Sequence, residues 1–176
     1  MQCKAVVFDL DDTLMAESEF AISGFRAVSQ AFADILQDDD AAFQFMKETY
    51  RTGNRRKIFN LLFETWLKQP ADRAAVHKMI HTYRAHTPDV NLLPDAERAL
   101  QRLDAHRLAD RCKLALISDG PAIMQRNKVT ALGLEERLDL VVLTGELDGE
   151  FGKPHPRAYE IVSNTLEIPH SQCIYI

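Results

Sequence analysis

The sequence predicts an α/β fold, a doubly wound parallel sheet that carries an inserted all-helical segment. Short apolar runs, typical of strands buried on both faces, begin the chain and recur in its second half. Helical patterns separate the later runs, as crossovers between parallel strands require. From Leu14 to Thr87 the apolar residues recur at helical spacing without a strand pattern. We therefore divide the chain into a core, residues 1–14 and 88–176, and a helical insertion, residues 15–87.

The first strand is predicted just before Asp9, and a second carboxylate, Asp11, follows two positions later. In extended chain these two side chains point the same way, towards the edge where open α/β sheets bind ligands. Two close carboxylates attract a divalent cation, and hard oxygen ligands favour Mg²⁺. One carboxylate could attack an electrophile while the other handles a proton. The alternative is plain turn chemistry, which is the interpretation we prefer for Asp12.

The insertion is predicted to contain four helices, with Gly24 and Thr52-Gly53 as candidate turns or hinges. Their apolar stripes and breaks place them at residues 19–37, 38 to about 50, 58–66 and roughly 71–85. Arg51, Arg55 and Arg56 cluster with Lys57 where two of these helices meet, and they could bind a second anionic group of a substrate. The alternative is a solvated helix start, although cations there oppose the helix dipole.

The second half of the chain alternates helices and strands. A helix that begins with a proline is predicted at residues 94–107, where the missing N–H costs nothing. Strands follow at residues 113–118, 140–143 and 172–176, and helices between them begin after Pro121 and Pro154. Gly133 has the position of a helix C-cap.

Two of these strand-to-helix connections carry further chemistry. Ser118 ends a strand, and Asp119-Gly120 then opens a helix, so a hydroxyl and free amide groups could cradle a phosphate. Lys153 precedes the last helix and could neutralise a phosphate or a nucleophilic carboxylate. The alternatives are a simple serine cap and an ordinary surface lysine.

Whole-chain properties exclude several classes of protein. The chain has 176 residues and a net charge of −5, which gives no electrostatic case for nucleic acid. No apolar run approaches the roughly 18 residues that span a bilayer, and the N-terminus does not resemble a secretory signal. The three cysteines lack a Cys-x-x-Cys spacing, which suits a reducing compartment, so we expect a cytoplasmic protein. The sequence does not indicate an oligomeric state.

Three ordered motifs make the chain resemble the haloacid dehalogenase (HAD) superfamily, in its phosphatase branch. The motifs are Phe8-Asp9-Leu10-Asp11-Asp12-Thr13-Leu14, Ile117-Ser118-Asp119-Gly120-Pro121 and Gly152-Lys153-Pro154-His155-Pro156. Gln125-x-x-Lys128 with Leu132-Gly133-Leu134 also resembles what commonly follows the second motif. The resemblance implies a Rossmann-like core with a mobile helical cap that closes over the substrate and selects it.

The resemblance also implies roles for individual residues. Asp9 would attack phosphorus and form an aspartyl-phosphate, while Asp11 would protonate the leaving alcohol and then activate water. Mg²⁺ would be held by the Asp9 side chain and the Asp11 carbonyl oxygen. The transferring phosphoryl group would be bound by Ser118 and by the amides around Asp119 and Gly120. Lys153 would orient and neutralise Asp9, and the expected substrate is a small phosphorylated metabolite.

Alternatives to a phosphatase follow from the same motifs. The acid/base residue Asp11 favours phosphate over halide chemistry, but a phosphosugar mutase of this fold would share all three motifs. The family's fourth motif, an acidic residue past the fourth strand that completes the magnesium site, would lie beyond Ile176. We therefore expect the natural sequence to continue, and we expect a chain without that motif to bind metal poorly. A chain that naturally ended at Ile176 would instead suggest a non-catalytic module.

Overall fold

The computed structural model describes residues 3–176 and shows an α/β protein, which confirms the predicted fold class. In chain order the elements are β1 (Ala5–Phe8), α1 (Glu17–Ala31), α2 (Ala33–Leu36), α3 (Asp39–Arg51), α4 (Ile58–Leu61), a π-helical turn (Leu62–Trp66), α5 (Arg73–Ala85), α6 (Pro94–Leu108), β2 (Lys113–Ser118), α7 (Ala122–Ala131), α8 (Leu134–Arg137), β3 (Leu140–Leu143), α9 (Arg157–Leu166) and β4 (Cys173–Tyr175).

The chain forms two compact units. The first contains the chain up to Glu19 together with Asp89–Ile176, and the second contains Phe20–Pro88. The four strands of the described residues lie in the first unit, and the regular elements of the second unit are all helices. The chain passes from the first unit into the second and then returns, as expected when a segment is inserted between the first strand and the rest of a sheet.

The strands of the first unit form a parallel sheet in the order β3-β2-β1-β4. In its register, Phe8 is paired with Leu116, and Val7 is paired with Tyr175. The residue that follows β1, Asp9, is therefore level with Ile117, one position before the end of β2. This register brings the carboxyl ends of the strands to one edge of the sheet, where their polar residues meet.

Burial explains why the strands read as apolar runs. Every residue of β1 is buried, and so are the last five residues of β2. Helix α9 packs through Ala158 and Val162 against Val7, Ala115 and other side chains of the sheet. A parallel sheet covered in this way shows no polar face, so its strands lose the alternating pattern of a half-exposed sheet.

The helical unit is held by an aromatic core around Tyr83. The ring of Tyr83 stacks on Phe25 with centroids 5.6 Å apart, and it meets Phe59 edge-on. Gly24 lies inside α1 rather than at a turn. A Cβ at this position would come within 2.6 Å of the Tyr83 ring. The glycine therefore serves close packing, whereas Gly53 does lie in a turn, with a φ of +94°.

Helix ends in this unit follow capping chemistry more closely than apolar spacing. The carboxylates of Asp38 and Asp72 accept hydrogen bonds from Ala41 and Ala74, the first-turn amides of α3 and α5. The single helix predicted at residues 19–37 is interrupted at Phe32, which separates α1 from α2. The predicted helix at residues 58–66 changes from α to π geometry after Leu61.

His86 should make the stability of the helical unit depend on pH. Burial lowers the pKa of His86, partly opposed by its hydrogen bond to the Tyr83 carbonyl, and its other ring nitrogen lies 3.0 Å from Ser23 Oγ. Below the ordinary pKa of 6.5 the unfolded chain therefore binds more protons than the folded one. Stability from this group is fully present above about pH 6.5 and is lost as pH falls through the lowered pKa.

The measurement is a comparison of thermal unfolding at pH 8 and pH 5 for the wild type and His86→Gln. The variant should lose less stability between the two pH values, since glutamine keeps polar groups but does not titrate. Carboxyl groups elsewhere affect both proteins equally, so the difference isolates His86. The same loss in both proteins would show that His86 does not contribute.

Candidate active site

Asp9 follows β1 and has one of its two carboxylate oxygens fixed. Oδ1 accepts a hydrogen bond from the amide of Leu10 at 2.8 Å and forms an ion pair with Lys153 Nζ at 2.7 Å. Within residues 3–176 no donor is bonded to Oδ2. The side chain is 37% exposed, so the open oxygen belongs to a carboxylate that solvent can reach. A carboxylate that is held by one oxygen and open at the other is suited to nucleophilic attack.

Lys153 bridges the ends of two neighbouring strands. Besides pairing with Asp9, its ammonium lies 3.4 Å from the carbonyl oxygen of Ile117 in β2. The structure thus brings together the first and third predicted motifs, which are 144 positions apart in the chain. An ammonium in this place balances the charge of Asp9 and would attract an anionic ligand.

Asp11 is held quite differently from Asp9. Lys128 Nζ lies 2.7 and 3.0 Å from its two oxygens, and Gln125 Nε2 donates to Oδ2 at 2.9 Å. The side chain of Asp11 is 26% exposed, whereas that of Lys128 is 2% exposed. Because both carboxylate oxygens already have donors, this carboxylate is held in one orientation.

Ser118 is the last residue of β2 and has a buried hydroxyl group. The residue is buried, and its hydroxyl oxygen has no hydrogen-bond partner within the described part of the chain. The next turn passes through Gly120 at a φ of +125°, a conformation that favours glycine. A buried hydroxyl beside a glycine turn and the first residues of α7 is the kind of site that an oxyanion fills.

Asp119 connects three loops of this edge. Its Oδ1 accepts from the hydroxyl of Thr144, just after β3, and its Oδ2 accepts from the backbone amide of Lys153. These bonds are 2.8 and 2.9 Å long. The Asp119 carboxylate is therefore committed to positioning Lys153, while its backbone belongs to the turn that follows Ser118.

Gly145 shows how tightly two of these loops approach each other. A Cβ on Gly145 would overlap the carbonyl oxygen of Gly120 and lie 2.9 Å from the amide nitrogen of Ala122. Both groups are backbone, so they can yield only by shifting the turn after Ser118. We expect Gly145→Ala to lower the free energy of unfolding by about 1–3 kcal/mol and kcat/KM by about 10²-fold.

Gly133→Ala is the matched control for that variant. Gly133 has a φ of +62°, but a Cβ there would meet no atom within 4 Å. We expect a loss of about 1–2 kcal/mol from backbone strain and an unchanged kcat/KM. Chemical denaturation and steady-state kinetics measure both quantities, and wild-type kinetics for Gly145→Ala would contradict the prediction.

Asp12 and the arginine cluster make other contacts. Asp12 adopts a φ of +56° and accepts from the amide of Glu17 at the start of α1, so it has a structural contact. The cations Arg51, Arg55 and Arg56 are exposed in the helical unit. Arg55 lies 4.6 Å from the centroid of the Tyr50 ring. Their role in specificity stays a prediction.

Sequence reasoning gave no role to the pair that holds Asp11. Gln125 and Lys128 are buried on α7, whereas Ile123 on the same helix is 47% exposed. The burial of these two polar side chains departs from what hydrophobic periodicity predicts, although Val129 on the same helix is buried as expected. The i, i+3 spacing of a polar pair beside the second motif was the available signal, and it does not identify Asp11 as the partner.

Cation sites and membrane segments were also sought among the described residues. Residues 3–176 contain no group of three His, Cys, Asp or Glu side chains placed to hold a metal ion. No helix in the described chain has the length and apolar character needed to cross a bilayer.

Relatives of the chain include two curated archaeal proteins, both named glyceraldehyde 3-phosphate phosphatase. The protein of Methanocaldococcus jannaschii is 28% identical over 180 residues, which cover 98% of this chain and 75% of the relative. The protein of Methanopyrus kandleri is 23% identical over 179 residues, which cover 98% of this chain and 74% of the relative.

A solved structure and a family model complete the comparison. A HAD-superfamily hydrolase of subfamily IA from Geobacter sulfurreducens has a TM-score of 0.64 at 15% identity, over 98% of this chain and 77% of that chain. At this identity the likeness shows the fold. The model of the haloacid dehalogenase-like hydrolases matches residues 3–176. The chain therefore belongs to the haloacid dehalogenase-like hydrolase family, and the predicted class of enzyme, a hydrolase, is confirmed.

Proposed function

We propose that the protein is a Mg²⁺-dependent phosphatase that hydrolyses a small phosphomonoester through an aspartyl-phosphate on Asp9. The observation that carries this proposal is the asymmetry of the Asp9 carboxylate. Oδ1 is bound by Leu10 and Lys153, and Oδ2 has no donor within residues 3–176. The relatives named as phosphatases support phosphate as the group transferred.

In the first step Asp9 Oδ2 forms a bond to phosphorus as the bond to the leaving oxygen breaks. The electron pair of the broken bond goes to the leaving oxygen, which takes a proton from the carboxyl group of Asp11. Asp11 is suited to this role because Lys128 and Gln125 hold it in one orientation. A positioned acid of this kind contributes about 10²–10⁴-fold to such a step.

In the second step water attacks phosphorus and gives its proton to the carboxylate of Asp11. The bond between phosphorus and Asp9 breaks, its electron pair returns to Asp9, and inorganic phosphate leaves. The Ser118 hydroxyl and the amides that follow it would bind the phosphoryl oxygens through both steps. The unpartnered, buried oxygen of Ser118 is the structural support for that assignment.

The donor set at this edge fits Mg²⁺. The Asp9 carboxylate is accessible to solvent and would contribute an oxygen, while the Asp11 carboxylate is occupied by Lys128 and Gln125, so Asp11 would contribute its main-chain carbonyl oxygen. Magnesium often uses one or two protein oxygens together with water and substrate phosphate. When bound, the ion would neutralise phosphate charge that Lys153 balances only in part.

The substrate we propose is a small phosphorylated metabolite, and glyceraldehyde 3-phosphate is the first compound to test. It is the compound in the names of both archaeal relatives. Those relatives are below 30% identical to this chain, so a panel of sugar, glycerol and carboxylic-acid phosphates should be tested beside it.

The experiment measures inorganic phosphate released from each compound with and without Mg²⁺, using the full-length protein. We expect turnover of at least one metabolite, and we expect EDTA to abolish it. Denaturation by acid during turnover should trap radioactive phosphate on the protein in the wild type and not in Asp9→Asn. Product analysis separates hydrolysis from a mutase, which would yield an isomer instead of phosphate. Absence of turnover across the panel would overturn the proposal.

A further inference from the structure

Helix α7 buries a lysine and a glutamine on the side that faces the sheet edge. Lys128 is 1% exposed and Gln125 is 3% exposed, while Ile123 on the same helix is 47% exposed. Burying an ammonium group is unfavourable unless a charge and hydrogen bonds compensate. The buried lysine and glutamine of this helix therefore need polar partners.

The compensating group is the carboxylate of Asp11. The Lys128 ammonium donates to both of its oxygens, at 2.7 and 3.0 Å, and Gln125 adds a third hydrogen bond at 2.9 Å. Three hydrogen bonds from two positions on one helix fix the carboxylate in rotation as well as in place. Asp9, in contrast, is held through one oxygen, so the two acids differ in the freedom of their reactive atoms.

Gln125 also links the Asp11 carboxylate to the turn after β2. The same Nε2 that donates to Asp11 contacts the carbonyl oxygen of Asp119. A Cβ on Gly120 would lie 2.9 Å from that nitrogen, so the glycine leaves room for the amide. Gln125 therefore contacts both Asp11 and the turn that we assign to phosphate binding.

We propose that Lys128, assisted by Gln125, is a positioning residue that aims the Asp11 carboxyl group at the leaving oxygen of the substrate. This inference rests on the proposed function, in which Asp11 supplies the proton as the bond from phosphorus to the leaving oxygen breaks. Lys128 acts through Asp11 and does not touch the substrate. Its contribution is therefore specific to substrates whose leaving group needs a proton.

Leaving-group dependence gives the test. A p-nitrophenolate ion leaves readily without a proton, whereas an alkoxide does not. We measure kcat/KM for p-nitrophenyl phosphate and for an alkyl phosphate that the wild type hydrolyses. In Lys128→Met we expect kcat/KM for the alkyl ester to fall about 10²-fold further than for the aryl ester, in line with the usual contribution of a general acid. The quantity compared among variants is the ratio of kcat/KM for the alkyl ester to kcat/KM for the aryl ester. This ratio is independent of how much of the sample is folded.

Further variants separate positioning from packing. Lys128→Arg keeps a cation and should restore part of the alkyl-ester activity, and Gln125→Leu should change the ratio in the same direction by a smaller factor. The control is Val129→Ala, which opens a cavity at a fully buried position on the same helix. It should lower stability and leave the ratio unchanged.

Asp11→Asn distinguishes the failure of this inference from the failure of the proposed function. If Asp11→Asn lowers the ratio and Lys128→Met does not, Lys128 is a structural residue and the inference is overturned. If Asp11→Asn itself leaves the ratio unchanged, Asp11 is not the acid, and both the proposed role and the inference built on it fall. A lowered ratio in both variants, with partial rescue by arginine, supports the inference.

Discussion

Replacing Asp9 with Asn is expected to lower kcat/KM by about 10⁴-fold or more, because the substitution removes the carboxylate that attacks phosphorus in the proposed mechanism. The substitution preserves size and can still accept from the amide of Leu10, so the fold should persist. It does remove the charge that pairs with Lys153 at 2.7 Å. Circular dichroism and thermal unfolding check the fold, and phosphate release under single-turnover conditions checks the chemistry.

Asp12→Asn provides the matched control, since it makes the same chemical change three positions later. Asp12 accepts from the amide of Glu17 and adopts a left-handed backbone conformation, both of which asparagine tolerates. We expect kcat/KM within about threefold of the wild type, since surface changes of this kind alter free energies by about 0.5 kcal/mol. Equal losses in Asp9→Asn and Asp12→Asn would show that Asp9 is not the nucleophile.

Lys153→Met is expected to produce the second largest loss, about 10²–10³-fold in kcat/KM. Methionine retains most of the apolar stem but cannot pair with Asp9 or approach the carbonyl oxygen of Ile117. Both the orientation of the nucleophile and the balance of charge around the phosphoryl group are then lost. Lys153→Arg should recover part of the activity, since it keeps the charge but not the compact geometry of an ammonium.

The control for this variant is Lys113→Met. Lys113 begins β2, at the opposite end of the strand from Ser118, and pairs with Asp110 at 2.6 Å. We expect no change in kcat/KM and only a small loss of stability, since solvent screens an exposed ion pair. Steady-state kinetics over a range of substrate concentrations separates an effect on kcat from one on KM. A loss in Lys153→Met that is confined to KM would mean that Lys153 binds substrate without activating Asp9.

The sheet was predictable because its strands are buried on both faces. Runs such as Leu114 to Ile117 have no polar positions, and the structure buries all four of these residues. The break at Phe32 was not predictable, because an apolar residue between two helices fits either helical stripe.

Some residues of the candidate site were also predictable from the sequence, and others were not. Asp9, Ser118 and Lys153 follow or precede recognisable elements, so their place at one sheet edge follows from topology. Lys128 and Gln125 could not be assigned to Asp11, because the contact depends on how α7 is rotated. The helix buries Val129 but leaves Ile123 47% exposed, so apolar residues alone do not indicate which side of it is buried.

The Asp119 carboxylate, which joins Thr144 to the amide of Lys153, has a consequence for the energetics of binding. The loops after β2 and β3 and the loop before α9 are fastened to each other before any ligand arrives. Their conformational entropy is lost when the protein folds, and the stability of the sheet compensates for it. A ligand then meets an edge that is already ordered, so its own binding free energy is not consumed in arranging Lys153.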